Sequence, residues 1–143
     1  MSPGQFRRIA LGLPEVEERA HMDHPDFRVG GKIFATLGYP DKGWGMVKLS
    51  PDEQAALVRA HPAAFRPANG LWGRQGCTLV ALEAADVETV HEGLAMAWAA
   101  RAPRKIIELH RRSGLPSNRI EVARSNGSAP RRGPGKTRSK RPV

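Results

Sequence analysis

The segment His21-Met22-Asp23-His24 sets two imidazoles and a carboxylate within four residues, a density that invites a metal ion. A closed zinc site takes four ligands, most often Cys and His. The chain has a single cysteine, Cys77, and no fixed spacing ties His61 or His91 to the segment. It therefore reads as a polar turn ahead of Pro25. A second candidate is Gly30-Gly31-Lys32. A phosphate-binding loop needs G-x-x-x-x-G-K-[ST], because the hydroxyl after the lysine holds the metal. Here Ile33 follows Lys32 and Asp26 stands where the first glycine belongs. Gly-Gly between apolar, β-rich runs predicts a two-residue hairpin turn instead, with positive φ at one or both glycines.

Nucleophilic chemistry finds no better footing. The chain has Ser, His and Asp but no G-x-S-x-G, and no cysteine-histidine signature surrounds Cys77. Cys77 lies in an apolar, strand-like run and reads as a buried, inert thiol. Glu15, Glu17 and Glu18 read as a solvated acidic face. The expectation is a protein with no catalytic residues, no metal and no cofactor, and so not an enzyme.

Aromatic and basic residues carry the remaining chemistry. Trp98 belongs to a helical stripe and reads as core. Trp44 lies between Gly43 and Gly45, and Trp72 lies between Gly70 and Gly73 with Arg66 and Arg74 nearby. A tryptophan beside arginines is a platform on which a nucleic-acid base can stack, although packing under a loop is the commoner use. Arg28 and Lys32 flank the Gly-Gly turn. The net charge is +9, but it is unevenly placed. From Ser113 to Val143 eight basic residues, Arg131, Arg132, Lys136, Arg138, Lys140 and Arg141 among them, face one acid, Glu121, giving +7; the rest has 15 basic and 13 acidic residues, or +2. Any electrostatic footprint for a polyanion is concentrated in the last thirty-odd residues.

These residues need a scaffold. With 143 residues the chain can bury one core. Ser2, Pro3 and Gln5 announce a first helix with a capping box, striped by Phe6, Ile9, Ala10 and Leu13. Val16–Met22 offers a short strand with an acidic start, broken at His24-Pro25, and is left out of the strand order. The hairpin pairs Phe27–Val29 with Lys32–Leu37, and Trp44–Leu49 is a further strand. Ser50-Pro51-Asp52-Glu53 is the strongest local signal: a cap, a proline at the first helical position and a capping-box glutamate. Phe65 begins an extended piece, Asn69-Gly70 predicts a hairpin turn, and Leu71–Trp72 and Cys77–Leu82 read as extended. Asp86 caps a long helix striped by Val87, Val90, Leu94, Ala97 and Trp98, and Pro103 begins a last short helix. The order helix, three strands, helix, two strands, helix, with turns too short for crossovers, predicts an α+β fold: two layers, an antiparallel sheet with helices packed on one side. Residues 1–112 form the domain. Residues 113–143, rich in Ser, Gly, Pro and Arg, hold too few large apolar residues to offset ordering entropy and are expected to be flexible.

The blocks HPDFRVGGKIFATLG, GWGMVKLSPDEQAALVRAHPAAFRPANGLWGRQGCTLVALEAAD and AMAWAARAPRK follow one another in register and resemble the MmcQ/YjbR-like family from about Leu13 to Lys105. The resemblance implies a fold similar to the CyaY-like (frataxin-like) and secretion-chaperone-like two-layer domains. The family is commonly labelled DNA-binding, its hairpins reaching the duplex as wings, a label that rests on likeness of fold. For this chain that implies weak binding of DNA without sequence preference through Arg28, Lys32, Arg66, Trp72, Arg74 and the basic tail. The alternative from another class is a protein-interaction module of chaperone-like kind. No apolar run reaches the roughly 20 residues of a membrane span, and the start lacks a secretory leader. The expectation is a cytoplasmic, monomeric protein away from membranes.

Overall fold

The structure, a computed structural model, describes residues 1–111; the basic tail expected to be flexible lies outside the described residues. Packing divides the chain into a unit of Met1–Pro103 and a second beginning at Arg104. Among the described residues the first unit holds every strand. Its order is α1 (Pro3–Leu11), β1 (Val16–His21), β2 (His24–Val29), β3 (Lys32–Leu37), β4 (Trp44–Lys48), α2 (Pro51–Ala60), β5 (Phe65–Pro67), α3 (Gly70–Arg74), β6 (Cys77–Ala81), a single 3-10 turn (Leu82–Ala84) and α4 (Val87–Arg101). In the second unit, α5 (Arg104–His110) has no buried residue.

The local signals account for most boundaries. Ser2 and Ser50 each accept a hydrogen bond from the backbone N–H three residues on, and Gln5 and Glu53 reach back to the cap N–H, so both capping boxes are closed. Asp86 accepts from the Thr89 N–H at 2.8 Å and starts α4. That bond holds the Asp86 carboxyl below its ordinary range. Gly30 and Gly31 have φ of 59° and 82° and join Val29 to Lys32, as the Gly-Gly pair predicts.

All six strands pair antiparallel in the order β1-β2-β3-β4-β6-β5. The α+β class holds, with three corrections of detail. Four strands, not three, precede α2, because Val16–His21 pairs with β2 along its whole length. The turn between them is Met22-Asp23, both at positive φ (51° and 66°), rather than His24-Pro25, which opens β2. Leu71–Trp72 is not extended, and Asn69-Gly70 is not a hairpin turn: Gly70 begins α3 and Asn69 precedes it. The helix is fixed by close approach, since a Cβ on Gly73 would fall 1.8 Å from the Ala68 carbonyl oxygen.

Pairing sorts the side chains onto two faces. Phe27, Val29, Ala35, Val47, Thr78, Val80 and Phe65 point to one face, where α1 and α4 cover them. Phe6 of α1 lies 6.2 Å from Phe27 between ring centres, and the Trp98 indole N–H donates to the Pro14 carbonyl at 2.9 Å. This is the core. Buried Gln54 of α2 ties the layer to β6 by donating to the Cys77 carbonyl and the Thr78 hydroxyl. The short α3 is the exception to one-sided helices, because its Trp72 and Gln75 beside it line the opposite face, called the open face below because no other described helix of Met1–Pro103 packs on it.

Candidate functional site on the open face of the sheet

Alternation places His21 and Arg19 of β1, His24, Asp26 and Arg28 of β2, Trp44, Met46 and Lys48 of β4, Cys77 and Leu79 of β6 and Arg66 of β5 on the open face. On β3 the alternation is broken. Ala35 pairs with Phe27 and Ile33 with Arg28, so Phe34 is an extra residue, a β-bulge. The bulge lets Ile33 and Thr36, three apart, share the open face while buried Phe34 and Ala35 serve the core.

Two clusters organise this face. Met46, Leu79 and Ala68 are buried together, with Trp44 and Cys77 packed against them, and they seat the α3 segment. Farther along, Asp26 is wholly buried and fully engaged. Arg28 donates to both its carboxylate oxygens, at 2.8 and 3.0 Å, and His21 Nδ1 lies 2.7 Å from Oδ2. The Arg28 guanidinium holds the Asp26 carboxyl below its usual range, against burial, and the His21 bond adds to the lowering. The same pairing raises Arg28 above its ordinary value.

Between the clusters lies a cavity of about 480 Å3. It is lined by Ile33, Thr36, Met46 and Leu49 from the sheet and its β4 end, by the Tyr39 and Trp72 rings, and by His21, Met22 and His24 around the β1–β2 turn. Lys48, Gln75, Cys77 and Arg101 line it as well. Rings run along the rim: His24 meets Tyr39 edge-on at 6.3 Å, and Tyr39 meets Trp72 at 6.3 Å. Trp72 and Met22 are exposed, at 58% and 85%. Burial raises the Cys77 thiol above its ordinary value, while the nearby charges of Lys48 and Arg101 pull the other way.

The structure brings together only part of the sequence's candidate set. Arg28 is on the open face, but its guanidinium is bound to Asp26. Arg66 is there too, stacked 4.3 Å above the Trp44 ring. Trp72 and Arg74 both belong to α3 and are exposed, but two residues apart they project from different sides of the helix, and of the two Trp72 lines the cavity described above. Lys32 stands apart at the hairpin tip, paired with core-facing Val29. Arg131, Arg132, Lys136, Arg138, Lys140 and Arg141 lie outside the described residues. His21, Asp23 and His24 do not assemble as ligands; His21 is turned to Asp26, and among the described residues no group of three His, Cys, Asp or Glu could hold a metal ion. Sequence reasoning passed over Tyr39, Lys48 and Arg101. The period-two run Trp44, Met46, Lys48 could have flagged Lys48. Nothing local flags Tyr39, in a turn, or Arg101, at the end of a helix.

Residues 11–100 match the model of the YjbR family. No curated protein matches the chain. Among solved structures, the chain is similar to the crystal structure of a Deinococcus radiodurans protein, DR2400, with a DUF419 domain. The two are 19% identical, the match covers 87% of this chain and 96% of that one, and the TM-score is 0.62. At that identity the likeness speaks for the fold. Among the described residues no helix is long and apolar enough to cross a membrane.

Proposed function

The chain belongs to the YjbR family, a family of unestablished function, and from that premise we propose that it acts by binding rather than catalysis, holding single-stranded nucleic acid weakly and without sequence preference on the open face of the sheet. The observation that carries this reading is the aromatic pair on this face: Trp72 and Tyr39 are in edge contact and part-exposed. Bases stack on such rings whatever their identity. The duplex-wing version has less support, because Arg28 is taken up by Asp26 and the Gly30-Gly31 tip keeps only Lys32. Met1–Pro103 has eleven basic and twelve acidic residues, a net of −1. The bulk attraction for a polyanion therefore falls to the tail, with its +7.

The test is anisotropy of labelled oligonucleotides, several single-stranded sequences and their duplexes, with the full chain at two salt concentrations. Single strands should bind alike and more tightly than duplexes. Removing Ser113–Val143 should flatten the salt slope, and Trp72→Ala should weaken single-strand binding about tenfold, one base's stacking. Duplexes bound as tightly as single strands, with Trp72→Ala silent, would overturn the proposal. A protein partner is the second reading, favoured by exposed Met22, Leu71 and Trp72 beside an apolar cavity.

A further inference from the structure

We propose that the open-face cavity is a small-molecule site whose ligand is an organic anion: an apolar or aromatic body with one carboxylate, phosphate or sulfonate head. The site shares a face with the nucleic-acid reading but does not rest on it, and it uses two residues that reading leaves idle.

Its volume, about 480 Å3, falls in the range of small-molecule sites, about 300–1,000 Å3. The body of the ligand is specified by the apolar side chains Ile33, Met46 and Leu49 and by the Tyr39 and Trp72 rings, all of which line the cavity. The head is specified by Lys48 and Arg101. Both line the cavity, and both act electrostatically on Cys77, which faces Lys48 across the β4–β6 pair. Among the described residues neither cation has an ion-pair partner, whereas Arg7 is bound to Glu18 and Arg28 to Asp26. Asp26, the carboxylate buried under this face among the described residues, is already paired with the Arg28 guanidinium through both oxygens, so its repulsion of an anion is offset. Two unpaired cations at an apolar cavity are the complement of an amphipathic anion.

The experiment uses the full chain and two fluorescent probes with nearly the same body, 8-anilinonaphthalene-1-sulfonate and uncharged N-phenyl-1-naphthylamine. The anionic probe should bind saturably at one site and more tightly than the neutral one. Lys48→Met and Arg101→Met should each weaken the anionic probe about tenfold, the usual effect of losing one charge-assisted contact, and leave the neutral probe unchanged. Both variants should keep the wild-type melting curve. Since Cys77 is the only cysteine, its rate of reaction with iodoacetamide at alkaline pH locates the probe, and saturating anionic probe should slow it several-fold. Displacement by indole-3-acetate or by adenosine monophosphate identifies the head group as carboxylate or phosphate. Equal binding of both probes, insensitivity to both substitutions, or an unprotected Cys77 each overturns the proposal. So does displacement by single-stranded oligonucleotides but by neither small anion, which assigns the cavity to a polymer. Failure of the oligonucleotide titrations alone leaves this site standing.

Discussion

The two faces of one sheet are built to different rules. The helix-covered face is apolar and sealed: Phe6, Phe27, Phe34, Phe65, Val29, Val47 and Val80 are all essentially inaccessible. The open face holds a buried carboxylate, a stacked Arg–Trp pair, a thiol and a cavity. A sealed apolar layer stabilises through burial alone, which is non-directional. A face with buried polar groups depends on each of them keeping its partner. The difference separates where this protein obtains stability from where it can meet a ligand, and it predicts that substitutions on the two faces fail differently.

The largest effect should come from the sealed face. Phe27→Ala removes a ring packed on Phe6 and should cost about 3–5 kcal/mol in denaturant unfolding. A loss below about 1 kcal/mol would mean that this layer is not the core. On the open face, Asp26→Asn keeps the shape but deprives Arg28 and His21 of their acceptor charge, and should cost about 1–3 kcal/mol at neutral pH. That difference should depend on pH. The folded-state value of Asp26 lies below its ordinary 3.8; its contribution is complete above 3.8 and is lost as pH falls through the folded value. The gap in melting temperature between wild type and Asp26→Asn should therefore narrow in acid, and a constant gap from pH 7 to pH 3 would contradict the pairing. Ser50→Ala, which opens the α2 capping box, should cost about 1 kcal/mol, seen as a modest shift of the unfolding midpoint with unchanged slope. Trp72→Ala should change stability by no more than about 0.5 kcal/mol while weakening whatever the open face binds. A large loss of stability there would make Trp72 part of the fold rather than of the site.

What the sequence made legible follows the range of each interaction. Ser2, Ser50 and Asp86 cap their helices through atoms three residues away, and Gly30-Gly31 closes a turn with its own neighbours. Such signals need no tertiary context. The polar segment His21–His24 was legible as a turn, but its position was not, because Met22 rarely adopts the positive φ it takes here and Pro25 drew the break two residues too far along. The α3 helix escaped because five residues, two of them glycine, show no helical period, and its position depends on Gly73 against Ala68. The bulge at Phe34 is visible only once β2 supplies the register. For the site, the basic residues near Trp72 were found from composition, but which of them are free was not. That depends on Asp26 and Trp44 taking up Arg28 and Arg66, a competition between strands that no local spacing records.

The strand order has a consequence for how copies of this protein behave when crowded. An open sheet ends in two strands whose outer backbone groups lack a neighbour, and such rows invite another chain to add on as a further strand. Here β5 is three residues long and ends in Pro67, whose nitrogen carries no hydrogen to donate. At the far side, six-residue β1 carries Glu17, Glu18 and Arg19 in succession, charges that strand-on-strand assembly would have to desolvate or bring against their own kind. One border is too short to serve as a template and the other is guarded by charge. Replacing Glu17 and Arg19 with valine or threonine, while keeping the Glu18 that pairs with Arg7 of α1, would strip the charge from this border and make it a template for another strand.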